Sequence, residues 1–206
     1  MFITFEGVEG AGKTTQIGLL KDFFEKIGKK VIVTRQPGGT ELGKKIRELI
    51  LDPEQEDKPS KMCELMLYLA DRAHHTETVI EKNLKENTVV LSDRYADSTI
   101  AYQGYARNGN IEQLEFLNNI ATKGIKPDIT IVLDIDPNIS MERIQERKLD
   151  RIESEKIDFH NKVREGFLEI AKKEPERVII INANESLEQI KEQIESIIVN
   201  KMKILT

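Results

Sequence analysis

Short apolar runs alternate along the chain with longer segments in which apolar residues recur every three or four positions. The apolar runs are residues 2–6, 31–34, 88–91, 128–133 and 178–181. A strand that is apolar along its length is covered on both faces, as in a parallel sheet. The segments with helical spacing are 13–27, 41–51, 62–85, 98–106, 111–122, 138–147, 157–173 and the stretch from 187 onward. This order predicts an α/β fold, a three-layer α/β/α arrangement around a five-stranded parallel sheet.

The helix predicted from residue 62 follows the most polar connection in the chain. Residues 52–61 read DPEQEDKPSK, which is typical of a surface loop. We expect Cys63 to be a small core residue. An apolar stripe beside it is predicted at Met62, Leu65, Met66 and Leu69.

Composition excludes several classes of protein. The 206 residues, 39% hydrophobic and 33% charged, fit one globular domain covering 1–206. A net charge of −5 gives no overall positive field, so no nucleic acid polymer is expected as a partner. A single cysteine allows no internal disulfide and fits a reducing compartment, and no stretch reaches the roughly 20 apolar residues of a membrane span. We therefore expect a cytoplasmic protein without a membrane partner.

The junction of the first strand and first helix matches the pattern G-x-x-x-x-G-K-[ST]. Its glycines allow successive N–H groups to point at phosphate oxygens, and the helix N-terminus adds a positive dipole end. Lys13 is expected to bridge the terminal phosphates of the nucleotide, and Thr14 to offer its hydroxyl to Mg²⁺. The alternative is a glycine-rich turn with a chance lysine. The predicted nucleotide-binding residues are Gly7, Val8, Glu9, Gly10, Ala11, Gly12, Lys13, Thr14 and Thr15.

A phosphate loop alone does not separate kinases from GTPases or motor ATPases. The guanine-recognition motif Asn-Lys-x-Asp is absent, because residues 200–203 read Asn-Lys-Met-Lys. The D-x-x-G switch motif is absent as well, since Asp93 is followed by Arg-Tyr-Ala. The chain also lacks the size and accessory segments of a motor ATPase, so a kinase is favoured.

Five segments together resemble the thymidylate kinase family, in that family's order and spacing. They are FEGVEGAGKTTQ (5–16), TRQPGGT (34–40), LYLADRAHH (67–75), SDRYADSTIAYQGYAR (92–107) and DRIESE (150–155). The resemblance runs from the first strand to the last helix. It implies a P-loop nucleoside-monophosphate-kinase fold, transfer of the γ-phosphoryl group of ATP to dTMP giving dTDP, a need for Mg²⁺, and a homodimer.

The resemblance also implies roles for charged residues near the transferred phosphate. A kinase that joins two nucleotides holds two anions close together, which calls for several cations. Asp93 is implied to organise Mg²⁺, and Arg94 to bind the dTMP phosphate; the alternative for this dipeptide is a surface ion pair. Arg35 resembles a residue that reaches the same phosphate. Arg47 could line that pocket, or it could be a solvated residue of its helix.

Recognition of the thymidine group is implied for two helices. Tyr68 and Arg72 lie four residues apart, so they share a helix face, where a ring can stack on a base and a guanidinium can donate to thymine O4. A core tyrosine with a solvated arginine is the alternative. By resemblance, Thr99 and Gln103 face the pyrimidine edge and Tyr102 lies near the sugar, where it disfavours a 2′-hydroxyl. Glu9 matches an acidic position near the acceptor's sugar and the metal.

The segment at about 142–156 resembles a mobile lid. Family members carry a catalytic arginine either in the phosphate loop or in the lid. The loop here contains no arginine, whereas the lid contains Arg147 and Arg151, so the chain resembles the lid-arginine, bacterial-like type. Both are expected to clamp the ATP phosphates in the closed state. The alternative is a charged, solvated helix end.

Two other functions stay open on sequence grounds. A kinase for another nucleoside monophosphate or for a deoxynucleoside would share most of these features. A catalytically silent nucleotide-binding regulator would need only the loop, although an intact set of Lys13, Asp93 and Arg94 argues against it.

Overall fold

The structure is a computed structural model that describes residues 1–146 and 148–205. Within these residues, parallel strands form one five-stranded sheet in the order β2-β3-β1-β4-β5. The strands are β1 (Phe2–Glu6), β2 (Val31–Arg35), β3 (Val89–Asp93), β4 (Ile129–Asp134) and β5 (Val178–Asn182). The predicted five-stranded parallel sheet is confirmed, and each strand lies within two residues of its predicted position.

The strand register brings three functional segments to one edge of the sheet. Arg35 at the end of β2 pairs with Asp93 at the end of β3, and Asp93 pairs in turn with Phe5 of β1. The phosphate loop begins at Gly7, directly after Glu6 ends β1. Since ligands bind at the carboxyl ends of strands in open α/β sheets, this edge is where a nucleotide site is expected.

Helices cover both faces of the sheet. α1 packs against β1, β2, β3 and α9. α8 packs against β5, α5, α7 and residues 100–106. The buried apolar residues of the described chain form two clusters, and in the larger one Phe5, Ile131 and Phe167 are almost fully buried. The helices are α1 (Lys13–Lys26), α2 (Glu41–Leu51), α3 (Lys61–His75), α4 (Glu81–Lys85), α5 (Ala96–Thr99), α6 (Ile111–Thr122), α7 (Pro137–Ile144), α8 (Ile157–Lys173) and α9 (Leu187–Leu205).

Two predicted helices contain π-helical turns. The helix expected over 62–85 is α3, a π-helical segment Thr76–Ile80 and α4. The helix expected over 98–106 is α5 followed by a second π-helical segment, Ile100–Ala106. We call this second one the π segment. Such turns are frequent at functional sites, and the π segment carries Tyr102 and Gln103.

The expectation that the strands are apolar throughout is wrong on one face of β1 and β4. Thr4 and Thr130 are fully buried, and their hydroxyl groups lie 2.7 Å apart. Thr130 also donates to Asp97, which is paired with Arg177 at 2.7 Å. The polar strand positions are satisfied by this network, so they fit the interior without an unpaired group.

The predicted stripe on α3 is only partly correct. Leu65 and Leu69 are buried, but Met62 and Met66 are 62% and 46% exposed, and Cys63 is exposed rather than in the core. α3 turns its leucines to the core and leaves the two methionines on its outer side. None of the helices in the described part of the chain has the length and apolar character needed to cross a bilayer.

Candidate active site

The phosphate loop is a glycine-dependent turn between β1 and α1. Gly7, Gly10 and Gly12 all have positive φ, at 130°, 73° and 94°. A Cβ on Gly7 would lie 2.5 Å from the carbonyl oxygen of Leu133, and one on Gly10 would lie 2.6 Å from that of Ser140. Only glycine fits at these two positions, so the backbone N–H groups stay open to an anion.

Lys13 is the first residue of α1, and its side chain lies back over the loop. Its side chain is 5% exposed, and Nζ donates to the carbonyl oxygens of Val8 at 3.0 Å and Gly7 at 3.3 Å. Burial, and then repulsion from Arg94, lowers the pKa of Lys13. A phosphate group arriving beside this ammonium would be a stronger acceptor than two carbonyls.

Glu9 and Arg94 form an ion pair across the loop. Arg94 also donates to the carbonyl oxygen of Gly7 at 2.9 Å. Burial alone would raise the pKa of Glu9, but attraction to Arg94 and Lys13 outweighs it and holds that pKa well below its usual range. Burial likewise opposes the charge on Arg94, yet Glu9 and other acidic neighbours raise its pKa above its ordinary value. Both groups are therefore charged at neutral pH.

A cleft opens beside this pair, between α3, the π segment and the ends of β2 and β3. Its mixed polar and apolar lining suits a small ligand. Every residue predicted to bind the acceptor lines it: Glu9, Arg35, Arg47, Tyr68, Arg72, Arg94, Thr99, Tyr102 and Gln103. Residues from six separate parts of the chain thus meet in one place.

Arg72 lies at the back of the cleft with a 2% exposed side chain. Its guanidinium donates to Gln36 Oε1 at 3.0 Å, to Thr99 Oγ1 at 2.6 Å and to Asn118 Oδ1 at 2.9 Å. A fourth hydrogen bond goes to the carbonyl oxygen of Tyr95 at 2.8 Å. The orientation of the group is therefore set before any ligand binds.

The end of α5 and the π segment carry the other predicted recognition residues. The guanidinium carbon of Arg94 lies over the ring of Tyr102, 5.1 Å from its centroid. Gln103 is held by a 3.0 Å hydrogen bond from its amide nitrogen to Glu64. Thr99 is 1% exposed and bonded to Arg72. These contacts fix both the ring and the amide at the cleft wall.

Thr14 and Asp93 fit the role predicted for them at Mg²⁺. Both line a second cleft at the carboxyl edge of the sheet, next to Arg35. Asp93 Oδ1 is buried and has no hydrogen-bond partner, which is unusual for a carboxylate oxygen. Oxygen ligands are what Mg²⁺ prefers, with phosphate oxygens and waters completing its shell.

Glu6 and Arg143 are neighbours of the site that the sequence did not indicate. Glu6 is fully buried and accepts hydrogen bonds from Tyr95 N at 2.8 Å and Ser98 Oγ at 2.6 Å, which ties β1 to the start of α5. Burial raises its pKa to about 7, despite the lowering effect of Arg94. Arg143 on α7 lies with one nitrogen 3.5 Å from the carbonyl oxygen of Gly10. A glutamate at the end of a strand and an arginine on an amphipathic helix are common at surfaces, so no motif singled them out.

The lid arginines divide into one that is described and one that is not. Arg147 lies outside the described residues. The expected contact of Arg151 with the ATP phosphates in the closed state stays a prediction. In the structure its Nε donates to the carbonyl oxygen of Ile50 at 2.7 Å, and an Nη donates to Glu64 at 2.6 Å. Its guanidinium is occupied on the acceptor side of the cleft because the turn after α7 lies against α2 and α3.

Comparison with known proteins agrees with this geometry. The family model for thymidylate kinase matches residues 5–194. The chain belongs to the thymidylate kinase family. It is 49% identical over 202 residues to the thymidylate kinase of Sulfurihydrogenibium sp. (strain YO3AOP1), covering 98% of this chain and 96% of that protein. The thymidylate kinase of Maridesulfovibrio salexigens is 44% identical, with 98% and 97% covered.

A solved structure supports the same family. The crystal structure of thymidylate kinase from Ehrlichia chaffeensis superposes with a TM-score of 0.79 at 32% identity, covering 96% of this chain and 98% of that one. The predicted family and P-loop kinase fold are confirmed. The chain is an ATP-dependent dTMP kinase that produces dTDP and uses Mg²⁺, as thymidylate kinases do.

Proposed function

We propose that dTMP binds in the cleft between α3, the π segment and the ends of β2 and β3, with its phosphate toward the phosphate loop and its base toward Arg72. The observation that carries this orientation is the distribution of charge. Arg35, Arg47 and Arg94 lie at the end near Glu9 and Asp93, whereas Tyr68 and Arg72 lie on α3 at the other wall. The acceptor phosphate thus meets three guanidinium groups.

At the base end, Arg72 donates its remaining N–H to a thymine carbonyl while its other donors keep it oriented. Tyr68 stacks on the base, and Thr99 and Gln103 meet the pyrimidine edge. Tyr102 lies against the sugar, where it disfavours a 2′-hydroxyl. The position of these residues around one cleft supports these roles.

At the donor end, N–H groups of the loop and the helix dipole hold the ATP phosphates, and Lys13 leaves its carbonyl partners to bridge them. Thr14 and Asp93 would hold Mg²⁺, and the ion would neutralise charge on the phosphate oxygens. Arg94 lies between the loop and the cleft, so it stabilises the phosphoryl group as charge spreads during transfer. No covalent intermediate is needed, because positioning and charge neutralisation supply the catalysis.

The phosphate end of the cleft can be tested separately from the base end. Arg47→Gln should weaken dTMP binding by about tenfold, roughly 1.4 kcal/mol, and leave thymidine binding unchanged. Lys44→Gln on the same helix is the matched control, since Lys44 is paired with Glu41 on the exposed side. Equal losses for dTMP and thymidine, or no loss for either, would contradict the proposed orientation.

We further propose that the protein is a homodimer built on α2, α3 and α6. α3 packs against both of the other helices, and together they expose a set of large apolar side chains. These are Leu42, Leu49, Met62, Met66, Phe116 and Ile120, each at least 46% exposed. Exposed apolar residues at this density favour a protein interface over free surface.

The oligomeric state is measured by analytical ultracentrifugation at micromolar concentration. A dimer in the wild type that becomes a monomer in Phe116→Lys supports the proposed surface, and a monomeric wild type refutes it.

We also propose a cytoplasmic location, which fits a chain with one exposed cysteine. Cell fractionation would contradict it by recovering the protein outside the cytoplasm.

A further inference from the structure

Glu64 is a buried carboxylate in α3 that the roles above do not use. It is 2% exposed and lies one helical turn before Tyr68 and two turns before Arg72, so it shares their face of the helix. A carboxylate with so little contact with water is costly unless it is paired and hydrogen-bonded. The hydrogen-bonding partners of Glu64 therefore indicate its role.

Three residues from other elements converge on this carboxylate. Oε1 accepts from the Gln103 amide at 3.0 Å, while Oε2 accepts from Arg151 at 2.6 Å and from Arg107 at 3.4 Å. Arg107 in turn pairs with Glu155 at 2.7 Å. One side chain thus joins α3, the π segment and the 148–155 segment that follows α7.

The 148–155 segment forms part of the cleft wall. Asp150, Ile152 and Glu153 line the cleft on either side of Arg151. Three hydrogen bonds from Arg151 anchor this segment. Besides the bond to Glu64, its backbone N–H donates to the carbonyl oxygen of Leu51 at 3.0 Å and its Nε to that of Ile50 at 2.7 Å. Of these anchors, the bond to Glu64 is the one between opposite charges.

We propose that Glu64 is a positioning residue that holds Gln103 and the 148–155 segment around bound dTMP, so that its charge sets the affinity for the acceptor and not for ATP. The proposal rests on the proposed function of the cleft as the dTMP site. Glu64 does this without touching the reacting atoms, since it acts through the amide of Gln103 and the guanidinium of Arg151.

The substitution Glu64→Gln tests the charge with little change of shape. Glutamine keeps one acceptor oxygen, but its NH₂ group faces the donors of Arg151 or Gln103, so at least one contact is lost. We expect the Kd for dTMP, measured by titration calorimetry, to rise by tenfold or more. The Kd for ATP should change less than twofold, and kcat at saturating dTMP less than threefold.

The chain offers a matched control on the same segment. Lys148 pairs with Glu54 at the surface, where the side chains are 70% and 75% exposed. Glu54→Gln is the same chemical change in a solvated pair, and such pairs contribute little. It should leave the Kd for dTMP and the Kd for ATP unchanged, which shows that a glutamine facing this segment is harmless in itself.

A double-mutant cycle shows whether Glu64 acts through Arg151. Arg151→Met removes the guanidinium and keeps an unbranched chain, so it should also raise the Kd for dTMP. In Glu64→Gln/Arg151→Met the two factors should not multiply, because both changes break one interaction. Multiplying factors, or a rise in Kd for ATP as large as that for dTMP, would overturn the proposal.

Separate controls distinguish a folding defect, a wrong role for Glu64 and a wrong assignment of the cleft as the dTMP site. If Glu64→Gln does not fold, Arg151→Met decides: a higher Kd for dTMP alone supports the proposal, and an unchanged Kd refutes it. A wild-type protein that failed to bind dTMP would refute the proposed function of the cleft. A wild type that binds dTMP alongside a folded Glu64→Gln of equal affinity would refute only the role of Glu64.

Discussion

Replacing Arg72 with lysine keeps the positive charge but removes the planar arrangement of donors. The guanidinium makes four hydrogen bonds, to Gln36, Thr99, Asn118 and the carbonyl oxygen of Tyr95. An ammonium has three protons and cannot reach acceptors spread around a plane, so at least two of these acceptors lose their partner. Each buried acceptor left unsatisfied costs about 1–3 kcal/mol, so for two acceptors we expect Arg72→Lys to lower the free energy of unfolding by about 2–6 kcal/mol.

The same change should weaken binding of the acceptor. Loss of a charged donor to a base carbonyl costs about 1.5–3 kcal/mol, which corresponds to a roughly 10- to 150-fold higher Kd for dTMP. The Kd for ATP should change by less than about twofold, because ATP binds at the loop.

Stability is measured by chemical denaturation and affinity by calorimetry of the folded fraction. Arg164→Lys is the control, because Arg164 is paired with Asp134 near the surface and its loss should leave the dTMP affinity unchanged. A folded Arg72→Lys with wild-type affinity for dTMP would show that Arg72 supports the fold but does not recognise the base. Equal losses for ATP and dTMP would place it outside acceptor recognition.

Three other changes test separate parts of the account. Lys13→Ala should fold normally and lose at least ~100-fold in kcat, about 2.7 kcal/mol, so a folded variant with a tenth of wild-type activity would exclude the lysine from catalysis. Because Glu6 has a pKa of about 7 in the fold against 4.5 as its ordinary value, the protein binds the extra proton only when folded, and the free energy of unfolding should fall by roughly 3 kcal/mol as pH rises from about 4.5 to about 7. Glu6→Gln should flatten that part of the curve measured by denaturation at several pH values, and parallel curves would refute the assignment. Arg147→Ala should lower kcat by at least ~100-fold in steady-state assays with little change in dTMP affinity, and an unchanged kcat would remove Arg147 from the transition state.

The sequence predicted those features that depend on local spacing. The phosphate loop is a contiguous motif whose glycines have one physical use, and Tyr68 with Arg72 share a face because helices repeat every 3.6 residues. The register of a parallel sheet then brings the ends of β1, β2 and β3 together, so Arg35 and Asp93 come to the loop as expected.

Features that depend on tertiary contacts were not predictable in this way. The π segment differs from an α-helix by one extra residue in a turn, which a pattern of seven residues does not reveal. Glu6 and Glu64 look like ordinary charged residues until their hydrogen-bond partners, 89 or more and 39 or more positions away, are known. The role of Arg151 at the ATP phosphates stays a prediction, whereas its contact with Glu64 could not be predicted because it depends on how the 148–155 segment lies against α3.

The central claim is that this cleft and loop transfer phosphate from ATP to dTMP. The direct measurement is the steady-state rate of ADP formation with ATP, Mg²⁺ and each of dTMP, dUMP, dCMP, UMP and thymidine, with the product identified by chromatography. The account predicts dTDP as the product and the highest kcat/KM for dTMP, with thymidine inactive because it lacks the phosphate that the three arginines hold. A higher kcat/KM for dCMP or UMP, or phosphorylation of thymidine in preference to dTMP, would contradict it.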